Sequence, residues 1–119
     1  MTLQDHFDDE SLDMLREVME EEFDELITLF LDDCESRLPK MNEALAQQDV
    51  TGLGGQAHSF KGASGNVCAI PLSDCNKKLE DMLRDRKTEE VDWEEASRLL
   101  SAIQQEFIAV KACIQNNFC

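Results

Sequence analysis

Ala57-His58-Ser59-Phe60-Lys61-Gly62-Ala63-Ser64-Gly65-Asn66-Val67 is the stretch on which the reading of the whole chain turns. At about 100° per residue, Leu53, Ala57, Phe60, Ser64 and Val67 gather within roughly a quarter of a helical wheel, which marks a core face. His58 falls on the far side, about 160° from Phe60, so it is predicted to face solvent near the middle of a helix. Gly54 lies one turn before it on the same face, with Gly55 beside it. Gly62 and Gly65 follow at one and two turns, so four of the chain's five glycines surround one imidazole. A glycine inside a helix costs ~1 kcal/mol relative to alanine. Such a cluster suits a surface cleared for the close approach of another molecule. Lys61, three residues on, brings an ammonium within reach of the space above the ring. The plainer alternatives are a surface histidine with no task and two glycines, Gly54 and Gly55, that belong to the preceding turn.

Working outward, helices are predicted on both sides. A short one covers about Asp8 to Met19, capped by Asp8 or Asp9, with Leu12, Leu15, Val18 and Met19 as its apolar stripe. Residues 1–7 read as a leader. From about Glu22 to Gln48, Phe23, Leu26, Ile27, Phe30, Cys34, Leu38, Met41 and Leu45 recur at spacings of three and four. Pro39 interrupts this pattern at a cost of ~3 kcal/mol, and a kinked helix is expected because the stripe keeps its phase, with two separate helices as the alternative. Asp49 or Thr51 caps the helix that carries His58. Pro71 opens the next helix, with Leu72, Cys75, Leu79, Met82 and Leu83 on one face and an end near Arg86. Asp92 caps the last, with Glu95 placed for a capping box, and Trp93, Ala96, Leu100, Ile103, Phe107, Val110 and Ile114 form its seam. No strand, repeat or low-complexity tract stands out. The expected fold is all-α: an antiparallel four-helix bundle preceded by a short N-terminal helix, in one domain spanning 1–119 with its core at about 8–117.

Bulk properties agree. The chain has 119 residues, 42% apolar and 31% charged, with only two prolines, which favours a few long helices. A net charge of −15 argues against nucleic acid and anionic membrane surfaces as partners. No apolar run reaches the length of a membrane span, and the acidic start does not read as a secretion signal. The five cysteines (Cys34, Cys68, Cys75, Cys113 and Cys119) include no C-x-x-C pair, and several fall among apolar residues as free cysteine does. A reducing cytoplasm is the expected location.

The chemistry open to such a histidine is narrow. A zinc site needs three or four ligands, and His6 is the only other histidine. A hydrolytic triad needs a nucleophile in line with the imidazole, and Ser59 points elsewhere on the helix. Nucleophilic attack by a neutral ring nitrogen on a phosphoryl group fits better, with Lys61 pairing the phosphoryl oxygens.

His58-Ser59-Phe60-Lys61-Gly62-Ala63-Ser64 resembles the H-x-[LIF]-K-G-[SA]-[SA] signature of histidine phosphotransfer (HPt) domains. The acidic leading helix, the long second helix and the Leu79-Glu80 pair extend the resemblance over nearly the whole chain. It implies that His58 is phosphorylated through its distal nitrogen and that Lys61 steadies the phosphoryl group. It further implies that Gly62 and Gly65 leave room for a receiver domain, with Glu80, where several relatives have Gln, orienting the other ring nitrogen. Gly54, Gly55, Leu12 and Leu15 are candidate docking residues, although Leu12 and Leu15 suit a seal at one end of the bundle better. The implied partners are receiver domains of hybrid kinases and response regulators, which supply the aspartate and a bound Mg²⁺. The protein itself is expected to need no cofactor, to be a stand-alone monomer, and, lacking a P-loop or Gly-rich ATP-binding stretch, not to be a kinase. Two features depart from the family pattern: Cys68 stands where relatives commonly have Gly, and Pro39 breaks a helix that is often continuous in them. The rival readings are a non-catalytic acidic adaptor and a thiol sensor using Cys68 and Cys75.

Overall fold

The computed structural model describes residues 5–116; residues 1–4 of the expected leader and Cys119 lie outside the described residues. Five α-helices follow one another: α1 (Asp9–Met19), α2 (Glu22–Ala46), α3 (Val50–Asn66), α4 (Ile70–Leu83) and α5 (Trp93–Gln115). A 3₁₀ turn, Thr88–Glu90, precedes α5. No strand occurs among the described residues.

The helix starts follow from capping chemistry. The Asp8 carboxylate accepts from the Ser11 N–H, Asp49 from the Gly52 N–H and Asp92 from the Glu95 N–H, each satisfying an otherwise unpaired donor of a first turn. The capping box at Asp92 forms only halfway, since the Glu95 side chain turns to Arg98 instead. Pro71 sits in the first turn of α4, where its missing N–H is not needed. α2 runs unbroken through Pro39. That proline is exposed, so its ring meets water rather than a neighbouring helix.

The helices pack as α2 against α3, α3 against α4, α4 against α5 and α5 against α2, while α1 rests on α2. The core draws on the predicted seams. Leu53, Ala57, Phe60 and Ser64 of α3 and the following Val67 are all at most 1% exposed. Ile27, Phe30, Cys34 and Met41 enter from α2, Leu72 and Leu79 from α4, and Leu100, Ile103 and Phe107 from α5. The start of the described chain is held as well. Phe7 is buried, and the Asp8 N–H donates to the Cys68 carbonyl at 2.9 Å. The His6 Nδ1 lies 2.8 Å from Glu106 on α5.

Three details differ from expectation. α4 ends at Leu83 rather than near Arg86; Arg84 is extended and Asp85 has φ 56°. Cys68 holds φ 63° in the turn between α3 and α4, a left-handed conformation that favours glycine. Cys34, Cys68 and Cys75 are free thiols, so the conceivable Cys68–Cys75 bridge is not formed. Cys113 is disulfide-bonded, of which the odd cysteine count and absent C-x-x-C pair gave no sign.

Candidate functional site

α3 begins at Val50, so Gly54 and Gly55 belong to the helix and not to the preceding turn. All five glycines of the chain lie in this one helix. Gly52 has a local reason. A Cβ there would come within 2.3 Å of the Asp49 carboxylate that caps α3. Gly62 has none: a Cβ would meet nothing within 4 Å. Internal packing therefore leaves the bare backbone at Gly62 unexplained, in line with a surface kept low for a visitor.

His58 projects from the solvent side of α3 with its side chain 68% exposed. The α3–α4 pairing brings Glu80 beneath it. The His58 Nδ1 and Glu80 Oε2 are 2.5 Å apart, and the Lys61 ammonium donates to Glu80 Oε1 at 2.6 Å. One carboxylate thus bridges two residues of α3 that lie three positions apart. Its side chain is only 12% exposed, so solvent competes weakly for these bonds. The Lys61 hydrogen bond, reinforced by that of His58, holds the Glu80 carboxyl below its ordinary value, against the opposing effect of partial burial. An ionised Glu80 is placed to accept from Nδ1–H, and in the neutral ring that hydrogen bond favours the tautomer whose Nε2 is unprotonated. Glu80 thus holds the ring in orientation, and in that tautomer the free lone pair is the one on Nε2.

Ser73 fastens the two helices next to this group by donating its hydroxyl to the Lys61 carbonyl at 3.0 Å. Arg84 stands at the margin, 3.3 Å from Asp81 and 3.8 Å from Glu80. Neither residue was singled out from the sequence. Ser73, Asn76 and Glu80 repeat at spacings of three and four on α4, a polar stripe beside the apolar one that periodicity could have revealed. Asn76 is fully buried and donates to the Leu72 carbonyl.

The candidate docking residues separate. Gly54, Gly55, Gly62 and Gly65 share α3 with His58, and a Cβ on Gly54 or Gly65 would make only ordinary contacts at 3.8 Å. Leu12 does not qualify: its side chain is fully buried, because it faces inward from α1. It seals the core, the alternative already favoured by its place in the stripe, and Leu15 packs partly buried against that core. The apolar side chains that α1 offers to solvent are Met14 and Val18, 66% and 82% exposed. Lys61 also differs in detail, since its ammonium rests on Glu80 rather than above the ring. Burial pushes the Cys68 and Cys75 thiols up, and the Cys34 thiol up to about 12. These shifts disfavour the reactive thiolate that a sensor needs.

Comparison with known proteins matches residues 25–113 to the Hpt domain family. Among solved structures, the chain is similar to the crystal structure of histidine-containing phosphotransfer protein B (HptB) from Pseudomonas aeruginosa PAO1. The identity is 36%, over 94% of this chain and 93% of that one, with a TM-score of 0.85. No curated protein matches. An exposed, carboxylate-oriented histidine on an all-helical scaffold, the family match over residues 25–113 and the likeness to HptB lead to one conclusion: this chain belongs to the Hpt domain family, whose role is histidine phosphotransfer in phosphorelays.

Proposed function

We propose that His58 takes a phosphoryl group from a receiver-domain phosphoaspartate and passes it to an aspartate of a response regulator. The observation that carries this reading is the Glu80 bridge. It places a hydrogen-bonded carboxylate on Nδ1 and leaves Nε2 open to solvent. In the forward step the Nε2 lone pair forms the N–P bond while the acyl-phosphate P–O bond breaks. The leaving electron pair stays on the receiver's carboxylate. No proton has to leave Nε2, and the Nδ1 proton stays on the ring, hydrogen-bonded to the Glu80 carboxylate, as the ring gains positive charge. The onward step is the reverse, with a second receiver's carboxylate as the attacking group. Most of the catalysis is positioning and charge neutralisation. Lys61 shifts from Glu80 to the phosphoryl oxygens, where a Mg²⁺ ion bound by the receiver would add further positive charge.

The bare backbone at Gly62, with Gly65, Gly54 and Gly55 along the same helix, supports close approach of a receiver domain. The ring of contacts from α2 through α5 supports an antiparallel four-helix bundle as the rigid support. No helix among the described residues is long and apolar enough to cross a membrane, which agrees with a carrier working in the cytoplasm. The chemistry needs no nucleotide, in keeping with a phosphocarrier rather than a kinase.

Mapping the modification tests the assignment. After incubation with a phosphorylated receiver, mass spectrometry under alkaline conditions should find one acid-labile phosphoryl group on the peptide containing His58. Acid-stable phosphate on Ser59 or Ser64 would contradict it.

A further inference from the structure

A helix serine ordinarily turns its hydroxyl back to a carbonyl of its own helix. Ser73, in the first turn of α4, does otherwise. Its hydroxyl crosses to α3 and donates to the backbone carbonyl of Lys61 at 3.0 Å. The carbonyl one turn before it, that of Ala69, takes the Ser73 N–H at 3.0 Å. A carbonyl inside a helix gives one lone pair to its own ladder and keeps a second. At Lys61 that second lone pair is taken by α4. The approach is close, since a Cβ on Gly65 would lie 3.8 Å from the Ser73 Oγ.

Lys61 is therefore tied to α4 at both ends. Its ammonium donates to Glu80 at 2.6 Å and its carbonyl accepts from Ser73. Ser73 and Glu80 stand seven residues apart, two turns on one face of α4 and about 10.5 Å along its axis. Two attachments so spaced fix both the slide and the rotation of α3 on α4. The apolar side chains of this pair, Leu53, Ala57 and Phe60 from α3 and Leu72, Leu79 and Leu83 from α4, are buried, but their attraction is non-directional. Asn76, between the two ties, is fully buried and uses its amide on the Leu72 carbonyl of its own helix. Among the described residues, the side-chain hydrogen bonds that join α3 to α4 are those of Glu80 to His58 and Lys61 and that of Ser73.

We propose that Ser73 is a positioning residue for phosphoryl transfer, holding α3 and α4 in register so that Glu80 stays beneath His58 while the Lys61 side chain is drawn away. The inference rests on the phosphotransfer reading above. In that reading the ammonium leaves Glu80 for the phosphoryl oxygens. One of the three ties is then lost at the moment when the ring must keep its orientation. The Ser73 bond ends on the backbone of Lys61 and not on its side chain, so it survives that movement. It is partly buried, where water competes weakly with it. Ser73 acts through Lys61 and Glu80 rather than on the imidazole.

The test pairs Ser73→Ala with Ser73→Thr, which keeps the hydroxyl. Label uptake is measured at rising concentrations of a receiver domain charged with acetyl phosphate and Mg²⁺, and the Glu80 side-chain carbon is titrated by NMR. In Ser73→Ala the maximal rate should fall about tenfold, with the receiver concentration at half-maximal rate unchanged. Its Glu80 midpoint, held down in wild type first by the Lys61 hydrogen bond, should move up toward the ordinary 4.5. Alanine favours the helix and needs no more space than serine, so the circular dichroism spectrum should stay that of wild type. Ser73→Thr should return both readings close to wild type. A wild-type maximal rate or a wild-type Glu80 midpoint in Ser73→Ala, or a loss that Ser73→Thr does not repair, would overturn the role of Ser73 and leave the phosphotransfer reading standing. If wild type takes no label from any phosphorylated receiver, the phosphotransfer reading falls, and this inference with it.

Discussion

The Glu80 carboxylate faces two donors, one per oxygen, and this division decides what each neighbour can do. Because Lys61 and His58 both favour its charged form, its ionisation should persist as pH falls through the ordinary carboxyl value of 4.5. The depressed folded-state value means that Glu80 contributes stability above its unfolded pKa. That contribution is lost as pH drops through the lower folded value. An NMR titration of the Glu80 side-chain carbon should give a midpoint below 4.5, and a midpoint above it would break the bridge as described. Glu80→Ala should slow phosphoryl uptake roughly 10–100-fold by releasing the ring, while Glu80→Gln, which retains an acceptor for Nδ1–H, should cost far less. The strained residue of the neighbouring turn offers a second check. Cys68 sits at φ 63°, where a Cβ costs about 1–2 kcal/mol that glycine avoids. Cys68→Gly should therefore raise stability in urea unfolding by up to about 1 kcal/mol after the added freedom of the unfolded chain is counted; a loss would show that the thiol's packing outweighs the strain.

At the scale of the helix, α3 is built against its own propensity. Gly62 is exposed, and nothing would touch a side chain there. Gly62→Ala should stabilise the protein by up to about 1 kcal/mol. Gly62→Gln should keep that gain and still block phosphoryl uptake from a receiver, so stability and function move in opposite directions. Unimpaired uptake by Gly62→Gln would remove the clearing from the account. On α1, Leu12 gives a contrast. As a fully buried side chain, its truncation to alanine should cost about 2–5 kcal/mol, where a docking contact on the surface would cost almost nothing. The helix wheel had already placed His58 outward and Leu53, Ala57, Phe60, Ser64 and Val67 inward, because a 3.6-residue period is a property of local sequence. The end of α4 at Leu83 and the half-formed capping box at Asp92 were not legible, since these depend on how a few side chains divide their hydrogen bonds. The Ser73 hydroxyl on the Lys61 carbonyl and the exposure of Met14 and Val18 likewise depend on how helices pair. Periodicity within one helix does not fix that pairing.

Over the whole molecule, the features that hold the fold and those that serve transfer lie on different surfaces. Apolar seams of α2 to α5 meet inside, α1 covers one side of α2, and the reactive group stands on the outer face of the α3–α4 pair. That arrangement lets His58 be lost without harm to the core, so one substitution isolates its role. His58→Gln should leave the helical circular dichroism spectrum and the thermal midpoint unchanged, and it should abolish uptake of labelled phosphate from a phosphorylated receiver that loads the wild type. Continued labelling of His58→Gln at the wild-type rate would contradict the central claim that this imidazole carries the phosphoryl group.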